Sequence, residues 1–272
     1  MKDLSNKNII HIRKDGVEYI QFKKLLKYSD KIVHAYTIGI DKNYRRINKT
    51  DEDIKNEQSQ KNYKELCNAI GIDYEKLLYS NQFHTDIVES VEDIRDFIKE
   101  DKKVDGLCTN KKGITLSTIN ADCILLLFYD PKKNVIANTH SGWKGTLQRI
   151  SVKTVQKMKE EYNCNPEDII CCISPSIRKC HFEVDEDVKC LYENEFKDIK
   201  NLDEAIIETQ ANKKWNIDTV LINKILLTKA GLQTQNIIDS ELCTVCNKEQ
   251  IHSYRVEKEG YGVETAIIGL KE

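Results

Sequence analysis

Short apolar runs separated by polar turn residues dominate the middle of the chain. Three of these runs, 114–119, 124–129 and 134–138, are broken by Asn-Ala-Asp and by Asp-Pro-Lys-Lys-Asn, a pattern typical of β-strands. The run 124–129 shows no alternation of apolar and polar residues, which predicts a strand buried on both faces. The same reasoning predicts further strands at 168–173, 237–238, 252–256 and 264–270.

Apolar residues spaced three or four positions apart predict helices between these strands. One helix is expected over about 53–70, where Gly71 provides a C-terminal stop. Others are expected over 145–162, 185–196 and 217–230. Alternation of strands and helices is typical of an α/β or α+β protein, and nothing in the composition resembles a linker between two domains.

Charge and hydropathy narrow the classes of function. The chain has 272 residues with 42 Lys+Arg against 44 Asp+Glu, so a net charge of −2 argues against nucleic acid as a partner. The longest apolar run, 124–129, is too short to span a bilayer, and the N-terminus lacks the apolar core of a signal peptide. We therefore expect a cytoplasmic protein without a membrane partner, whose ten cysteines are thiols rather than disulfides.

Two histidines and one cysteine lie where predicted strands begin or end. Cys123 precedes one strand, His140 follows the next, and His84 lies beside another apolar stretch. Such a set fits zinc with three protein ligands, or a cysteine nucleophile with a histidine base. Ordinary core or surface roles remain a third interpretation, because no compact ligand pair is present.

Two other motifs are less specific. The pair Cys243 and Cys246 is typical of half a zinc ribbon or of a redox motif, but no second C-x-x-C pair exists, which favours a structural role. Cys180 and His181 are adjacent, and sequence neighbours rarely share a metal. The turn 141–146 combines glycines with a lysine before a predicted helix, a combination that can bind an anion.

Several motifs together resemble the laccase-domain family. These are Asp-Gly-Leu at 105–107, Ala-Asp-Cys at 121–123 and Thr-His-Ser-Gly-Trp-Lys-Gly-Thr at 139–146. Further matches, among them Gln-Phe-His at 82–84 and Ser-Tyr-Arg at 253–255, extend the resemblance over about 30–270. Members of that family have been called polyphenol oxidases, peptidoglycan editing factors and purine nucleoside phosphorylases. The chain departs from the family at Lys144, where arginine is usual, and at Val263, where arginine often follows the glycine.

The resemblance implies one compact domain over 1–272, with mixed β-sheets flanked by helices, distantly like a cytotoxic-necrotizing-factor toxin domain. It implies Zn²⁺ held by His84, Cys123 and His140. It also implies phosphorolysis of adenosine, inosine, guanosine and methylthioadenosine, with adenosine deamination as a second activity. Copper, assumed by the older oxidase name, fits less well because six histidines are too few for several copper centres.

The catalytic residues predicted on this basis are Cys123, His140 and Asp122. Asp122 is either a general acid/base or a hydrogen-bond partner of a ligand histidine. The predicted substrate-binding residues are Ser141, Trp143, Lys144, Arg178 and Arg255. Among them, Lys144 is the first candidate for phosphate, and the ring of Trp143 either stacks on the base or belongs to the core.

Three alternative functions remain open from the sequence. They are a zinc or cysteine hydrolase that edits peptidoglycan precursors, a copper polyphenol oxidase, and an inactive binding protein. The expected partners are a nucleoside and phosphate, and the expected assembly is a monomer or a weak homo-oligomer.

Overall fold

The computed structural model describes residues 2–46, 53–95, 102–200, 202–209 and 213–272. The strands are β1 Ile9–Lys14, β2 Val17–Phe22, β3 Ile32–Ile38, β4 Leu77–Tyr79, β5 Val88–Ser90, β6 Gly106–Thr109, β7 Thr115–Asn120, β8 Ile124–Asp130, β9 Val135–Ser141, β10 Ile170–Ile173, β11 Glu183–Val184, β12 Ile206–Glu208, β13 Trp215–Ile217, β14 Ile237–Asp239 and β15 Glu264–Leu270. The α-helices are α1 Lys23–Leu26, α2 Asp53–Ile70, α3 Trp143–Leu147, α4 Ile150–Tyr162, α5 Glu186–Glu195, α6 Leu202–Ala205, α7 Thr219–Lys229 and α8 Tyr254–Glu257.

Two six-stranded sheets and one small sheet organise these elements. The first sheet has the order β1-β2-β3-β15-β7-β4, and the second has the order β14-β10-β8-β9-β6-β5. Strands β11, β13 and β12 form the third sheet. Most neighbours are antiparallel, whereas β4–β7, β5–β6 and β10–β14 are parallel pairs. The protein is thus a single α/β domain with mixed sheets.

The two large sheets pack face to face, with helices on their outer faces. Strand β8 shows why, because its alternate residues enter different cores. Leu125 and Leu127 pack between the sheets, whereas Leu126 and Phe128 pack against α4 and α7. Helix α2 covers the outer face of the first sheet. The prediction that this strand is buried on both faces is confirmed.

A buried amide links the two sheets. Asn138 of β9 donates from Nδ2 to the carbonyl oxygens of Leu116, at 3.0 Å, and Ala266, at 2.8 Å. Those acceptors belong to β7 and β15, two neighbouring strands of the other large sheet. Because an unpaired buried amide costs about 1–3 kcal/mol, these bonds favour one relative placement of the sheets.

Two predicted elements differ in the structure. The helix expected over 145–162 is two helices, because Arg149 adopts a left-handed backbone with φ 59° between them. The strand expected over 252–256 is instead the short helix α8. Its Glu257 carboxylate accepts hydrogen bonds from the backbone N–H groups of Ser253 and Gly262, which closes this segment into a compact turn. The helix expected over 53–70 and the strand expected over 264–270 are confirmed.

Among the described residues, no helix is both long enough and apolar enough to cross a membrane. All ten cysteines lie within the described ranges and carry free thiols.

Candidate active site and metal centre

Pairing of β8 with β9 brings Cys123 and His140 together. Leu125 pairs with His140 and Ile124 with Ser141, so the residue before β8 lies beside the end of β9. His84 approaches from the loop between β4 and β5, and its ring centroid lies 4.9 Å from that of His140. The ligand atoms of His84, Cys123 and His140 all lie within 4.8 Å of one another.

Unusual backbone conformations aim these side chains into the cluster. His84 has φ 60° and Asp122, next to Cys123, has φ 85°, both in a region that non-glycine residues seldom occupy. The Asp122 carbonyl accepts a hydrogen bond of 2.8 Å from the N–H of Ile177. The Asn120 side chain donates to the carbonyl of Cys123. Such local strain is typical of functional sites whose surroundings hold it in place.

A buried carboxylate orients two of the three ligands. Asp105 Oδ1 accepts from His140 Nδ1 at 2.8 Å and from the N–H of His84 at 3.1 Å. Its Oδ2 accepts from the N–H of Phe83 and from both the N–H and the hydroxyl of Thr85. Since Nδ1 of His140 is hydrogen-bonded to Asp105, Nε2 is the ring nitrogen available to bind a metal. A carboxylate in this position is the usual outer partner of a metal-binding histidine.

The electrostatics of the cluster favour a positive charge. Burial alone would lower the pKa of His140, but Cys123 and Asp105 raise it to about 9. Burial would also raise the pKa of Asp105, yet the hydrogen bonds from His140 and Thr85 lower it below its usual value. Burial and the neighbouring His140 lower the pKa of His84. Without a metal these shifts favour a protonated His140 held by Asp105 beside a neutral His84, and a neutral imidazole is the form that can coordinate a metal.

Gly142 leaves open the space in front of the ligand atoms. A Cβ atom at this position would lie 3.2 Å from Cys123 Sγ, 3.5 Å from His140 Cε1 and 3.8 Å from His140 Nε2. The backbone φ of −68° would suit any residue, so the requirement for glycine is steric.

The cluster lies in a cavity of about 650 Å³, a size typical of sites for small molecules. Four predicted site residues besides the ligands line it, namely Asp122, Ser141, Trp143 and Arg255. The remaining lining residues are Arg45, Gln82, Ile119, Asn120, Ala121, Ile124, Ile177, Phe182, Thr219, Tyr254, Tyr261 and Val263.

Two predicted phosphate ligands lie outside this lining. The guanidinium of Arg178 donates to both oxygens of the Asp239 carboxylate, at 2.9 and 2.7 Å, so its fork is already occupied. The ammonium of Lys144 lies 5.4 Å from the centre of the Trp143 ring. Most of the segment predicted as an anion-binding turn, 141–146, belongs to α3, and the N–H of Thr146 donates to Gly142 O within that helix's first turn.

The described hydrogen bonds of the Asp122 carboxylate go to Thr244 and to the cavity-lining Arg255, not to a ligand histidine. Its Oδ1 accepts from the hydroxyl of Thr244, and its Oδ2 accepts from the N–H of Arg255 at 2.7 Å. Among the described hydrogen bonds, Asp105 is the carboxylate that reaches a ligand histidine. Asp122 therefore connects the turn that carries Cys123 with the segment that carries Arg255.

Arg45, Tyr254 and Tyr261 of the cavity wall were not among the residues predicted from the sequence. Arg45 lies over the ring of Tyr261, 3.9 Å from its centroid, and donates to the carbonyl of the same residue. The ring of Tyr261 meets that of Tyr254 edge to face at 5.0 Å. Arg45 is separated from both tyrosines by more than 200 residues, and only the fold shows that they share one cavity.

Residues 39–271 match the family described as multi-copper polyphenol oxidoreductase laccase, and the chain belongs to that family. The resemblance seen in the sequence is thereby confirmed. The structure aligns with the crystal structure of the Bacillus licheniformis hypothetical protein YfiH, with a TM-score of 0.82 and 25% identity, over 93% of this chain and 96% of that one.

Curated relatives in the family are named as enzymes of purine metabolism. Purine nucleoside phosphorylase LACC1 of Mus musculus is 31% identical over 78% of this chain, and the match spans only 48% of that relative. Purine nucleoside phosphorylase YlmD of Bacillus subtilis is 28% identical over 78% of this chain and 77% of its own length. Adenosine deaminase RL5, from an unknown prokaryote, is 28% identical over 70% of this chain and 73% of its own length.

Proposed function

We propose that this protein is a zinc-dependent purine nucleoside phosphorylase with adenosine deamination as a second activity. Its substrates would be adenosine, inosine, guanosine and methylthioadenosine, together with phosphate. The observation that carries the proposal is the cluster of His84, Cys123 and His140 inside a cavity of about 650 Å³. The names of the relatives support the same reaction class.

The donor set fits zinc. Thiolate and imidazole are the ligands that this borderline-soft ion prefers, and three protein ligands leave a fourth position for a substrate or water. The bond from His140 Nδ1 to Asp105 and the clearance in front of Gly142 support a cation at this point. When bound there, zinc would supply a Lewis acid for polarising the substrate and activating water.

A mononuclear site fits this chain better than the several copper centres in the family's description. The described residues contain two clusters of metal-ligating side chains, and only one has two histidines. Multi-copper chemistry needs more imidazoles than this.

The cavity walls supply groups for both substrates. In phosphorolysis a phosphate oxygen attacks C1′ of the ribose while the bond from C1′ to the purine nitrogen breaks, releasing ribose 1-phosphate and the free base. Arg45 and Arg255 line the cavity and carry the positive charge that orients phosphate for this attack. The rings of Trp143, Phe182 and Tyr254 offer apolar faces for the purine.

Residues behind the wall hold this arrangement. Tyr192 donates from its hydroxyl to the carbonyl of Trp143 at 2.9 Å. The hydroxyl of Ser141, also on the wall, lies 3.0 Å from that of Thr146. Both contacts fix the start of α3, where the indole joins the cavity. A fixed wall keeps sugar and phosphate in one orientation and excludes water from the reacting atoms.

The test is product analysis with purified protein. Adenosine is incubated with and without phosphate, and the products are separated by chromatography. We expect adenine and ribose 1-phosphate to form only when phosphate is present, or inosine to form when phosphate is absent. His84→Ala and Cys123→Ala should abolish both products, whereas Cys190→Ser, a free thiol outside the cluster, should retain them.

Absence of both products from zinc-loaded wild type would overturn the proposal. The same protein would then be assayed on peptidoglycan precursors, since the hydrolase interpretation requires release of an amino acid from them.

A further inference from the structure

A second cluster of metal-ligating side chains lies outside the cavity. It consists of Cys180, His181, Cys243 and Cys246, whose ligand atoms all lie within 4.8 Å of one another. The first two belong to the turn before β11, whereas Cys243 precedes the short 3-10 turn Val245–Asn247 and Cys246 lies within it. The fold thus brings together a Cys-His pair and a C-x-x-C pair that are more than 60 positions apart.

The distances within this cluster match a tetrahedron. Cys180 Sγ lies 3.6 Å from Cys243 Sγ and 3.8 Å from Cys246 Sγ. With zinc–sulfur bonds of about 2.3 Å, two thiolates on a tetrahedral ion are about 3.8 Å apart. His181 Nδ1 lies 3.1, 3.7 and 3.6 Å from the three sulfurs, in the order Cys180, Cys243, Cys246. The corresponding separation on zinc is about 3.5 Å.

Disulfide formation does not explain this arrangement. Sulfurs in a disulfide are about 2.05 Å apart, and a disulfide would leave one cysteine and the histidine without a role. All three thiols are free, and each lies within 4 Å of His181 Nδ1. A common central atom accounts for all four side chains at once.

We infer that Cys180, His181, Cys243 and Cys246 bind a structural Zn²⁺, separate from the site in the cavity. Three thiolates and one neutral imidazole complete the coordination, and binding releases three thiol protons to solvent. Because four protein ligands leave no open position, this ion has no place for a substrate.

The proposed ion would join two segments that support the active site. A β-bridge already pairs Ser176 with Cys243, and the N–H of Thr244 donates to Ser176 O at 3.1 Å. From these segments, Ile177 donates to the Asp122 carbonyl and Thr244 to its carboxylate. The second zinc thus cross-links the two segments that hold the turn carrying Cys123. Its role is to position that turn, and it does not contact the substrate.

Metal analysis distinguishes the two sites. Protein purified under reducing conditions and equilibrated with zinc should contain about two zinc ions per chain. Cys180→Ser/Cys246→Ser should lower this to about one, and Cys123→Ser should also lower it to about one by emptying the cavity site. The control Cys190→Ser should keep both. Cys180 and Cys246 are exposed, so their substitution opens no void in the core.

Coordination chemistry is then tested with the second site intact. X-ray absorption at the zinc edge on Cys123→Ser protein should show about three sulfurs and one nitrogen per zinc at the distances expected for tetrahedral zinc. Unchanged zinc content in Cys180→Ser/Cys246→Ser, a zinc shell with fewer sulfurs, or a disulfide among these cysteines by mass spectrometry would overturn the inference. Because the readouts do not use activity, they are independent of the proposed reaction.

Discussion

Replacing Asp105 by asparagine tests whether the buried carboxylate holds the metal site. The substitution preserves size but turns one acceptor oxygen into an N–H₂ donor. Every polar neighbour of this side chain is a donor, including the N–H groups of Phe83, His84 and Thr85. Whichever way the asparagine amide is oriented, its N–H₂ group therefore points at N–H donors that the carboxylate oxygen used to accept from.

The sizes of the losses in folding free energy and zinc affinity depend on which carboxylate oxygen becomes the amide nitrogen. With the amide nitrogen at the Oδ2 position, the N–H groups of Phe83 and Thr85 lose their acceptor. Each bond to a charged group is worth about 1.5–3 kcal/mol, so folding loses about 3 kcal/mol or more. With the nitrogen at the Oδ1 position, His140 Nδ1 must accept a hydrogen bond from the new amide, so Nδ1 loses its proton and the ring proton moves to Nε2. That tautomer removes the lone pair a metal needs. In either case zinc affinity should fall about 10- to 100-fold.

The assay is competitive zinc titration with a chromophoric chelator, followed by urea denaturation of the metal-free forms. The control is Asp130→Asn, the same change at a fully buried carboxylate whose Oδ1 accepts from the N–H groups of Lys132 and Lys133. Asp130→Asn should leave zinc affinity unchanged. If Asp105→Asn binds zinc at the cavity site as tightly as wild type, the assigned role of the carboxylate is wrong.

Three further predictions rest on single features of the site and its surroundings. Gly142→Ala should lower zinc occupancy at the cavity site without unfolding the protein, because the added Cβ would lie 3.2 Å from Cys123 Sγ. Metal analysis measures this occupancy, and full occupancy would contradict the steric argument. Arg45→Gln should raise the KM for phosphate about tenfold or more while the nucleoside KM changes little, since one charged contact is worth about 1.5–3 kcal/mol; initial rates at varied phosphate decide this. Burial raises the pKa of Glu264 well above its ordinary 4.5, so its contribution to stability is greatest below pH 4.5 and declines as the pH rises. The difference in unfolding free energy between wild type and Glu264→Gln should therefore shift against wild type above pH 4.5, a trend that is refuted if the exposed control Glu160→Gln behaves identically.

The central strands could be predicted because their apolar runs are set by burial alone. The run 124–129 lies between two cores and shows the unbroken pattern that such burial requires. The break at Arg149 could not be predicted, because its left-handed backbone leaves no pattern in the neighbouring apolar residues. The error at 252–256 has a similar cause, since Glu257 closes that segment through side-chain hydrogen bonds.

The three proposed metal ligands could be predicted from sequence motifs, whereas the residues that surround and orient them are evident only from the fold. Asp105 stood in one of those motifs, but an acidic residue before a strand has many ordinary explanations. Arg45 and the second cysteine cluster depend on contacts across long stretches of chain. The pairing of Cys180 with Cys243 is invisible to spacing rules because each half alone is an incomplete zinc motif.

The position of β15 has a consequence for how this protein acquires its shape during synthesis. This strand is the most C-terminal in the sequence, yet it lies between β3 and β7 in the first sheet. Its Thr265 N–H bonds to the hydroxyl of Thr37, 228 positions earlier. A ribosome-bound chain can therefore form the β1–β3 meander early, but the gap between β3 and β7 stays open until β15 emerges. Folding should be dominated by a late, long-range step, which leaves the unfilled gap beside β3 and β7 exposed to chaperones or to aggregation.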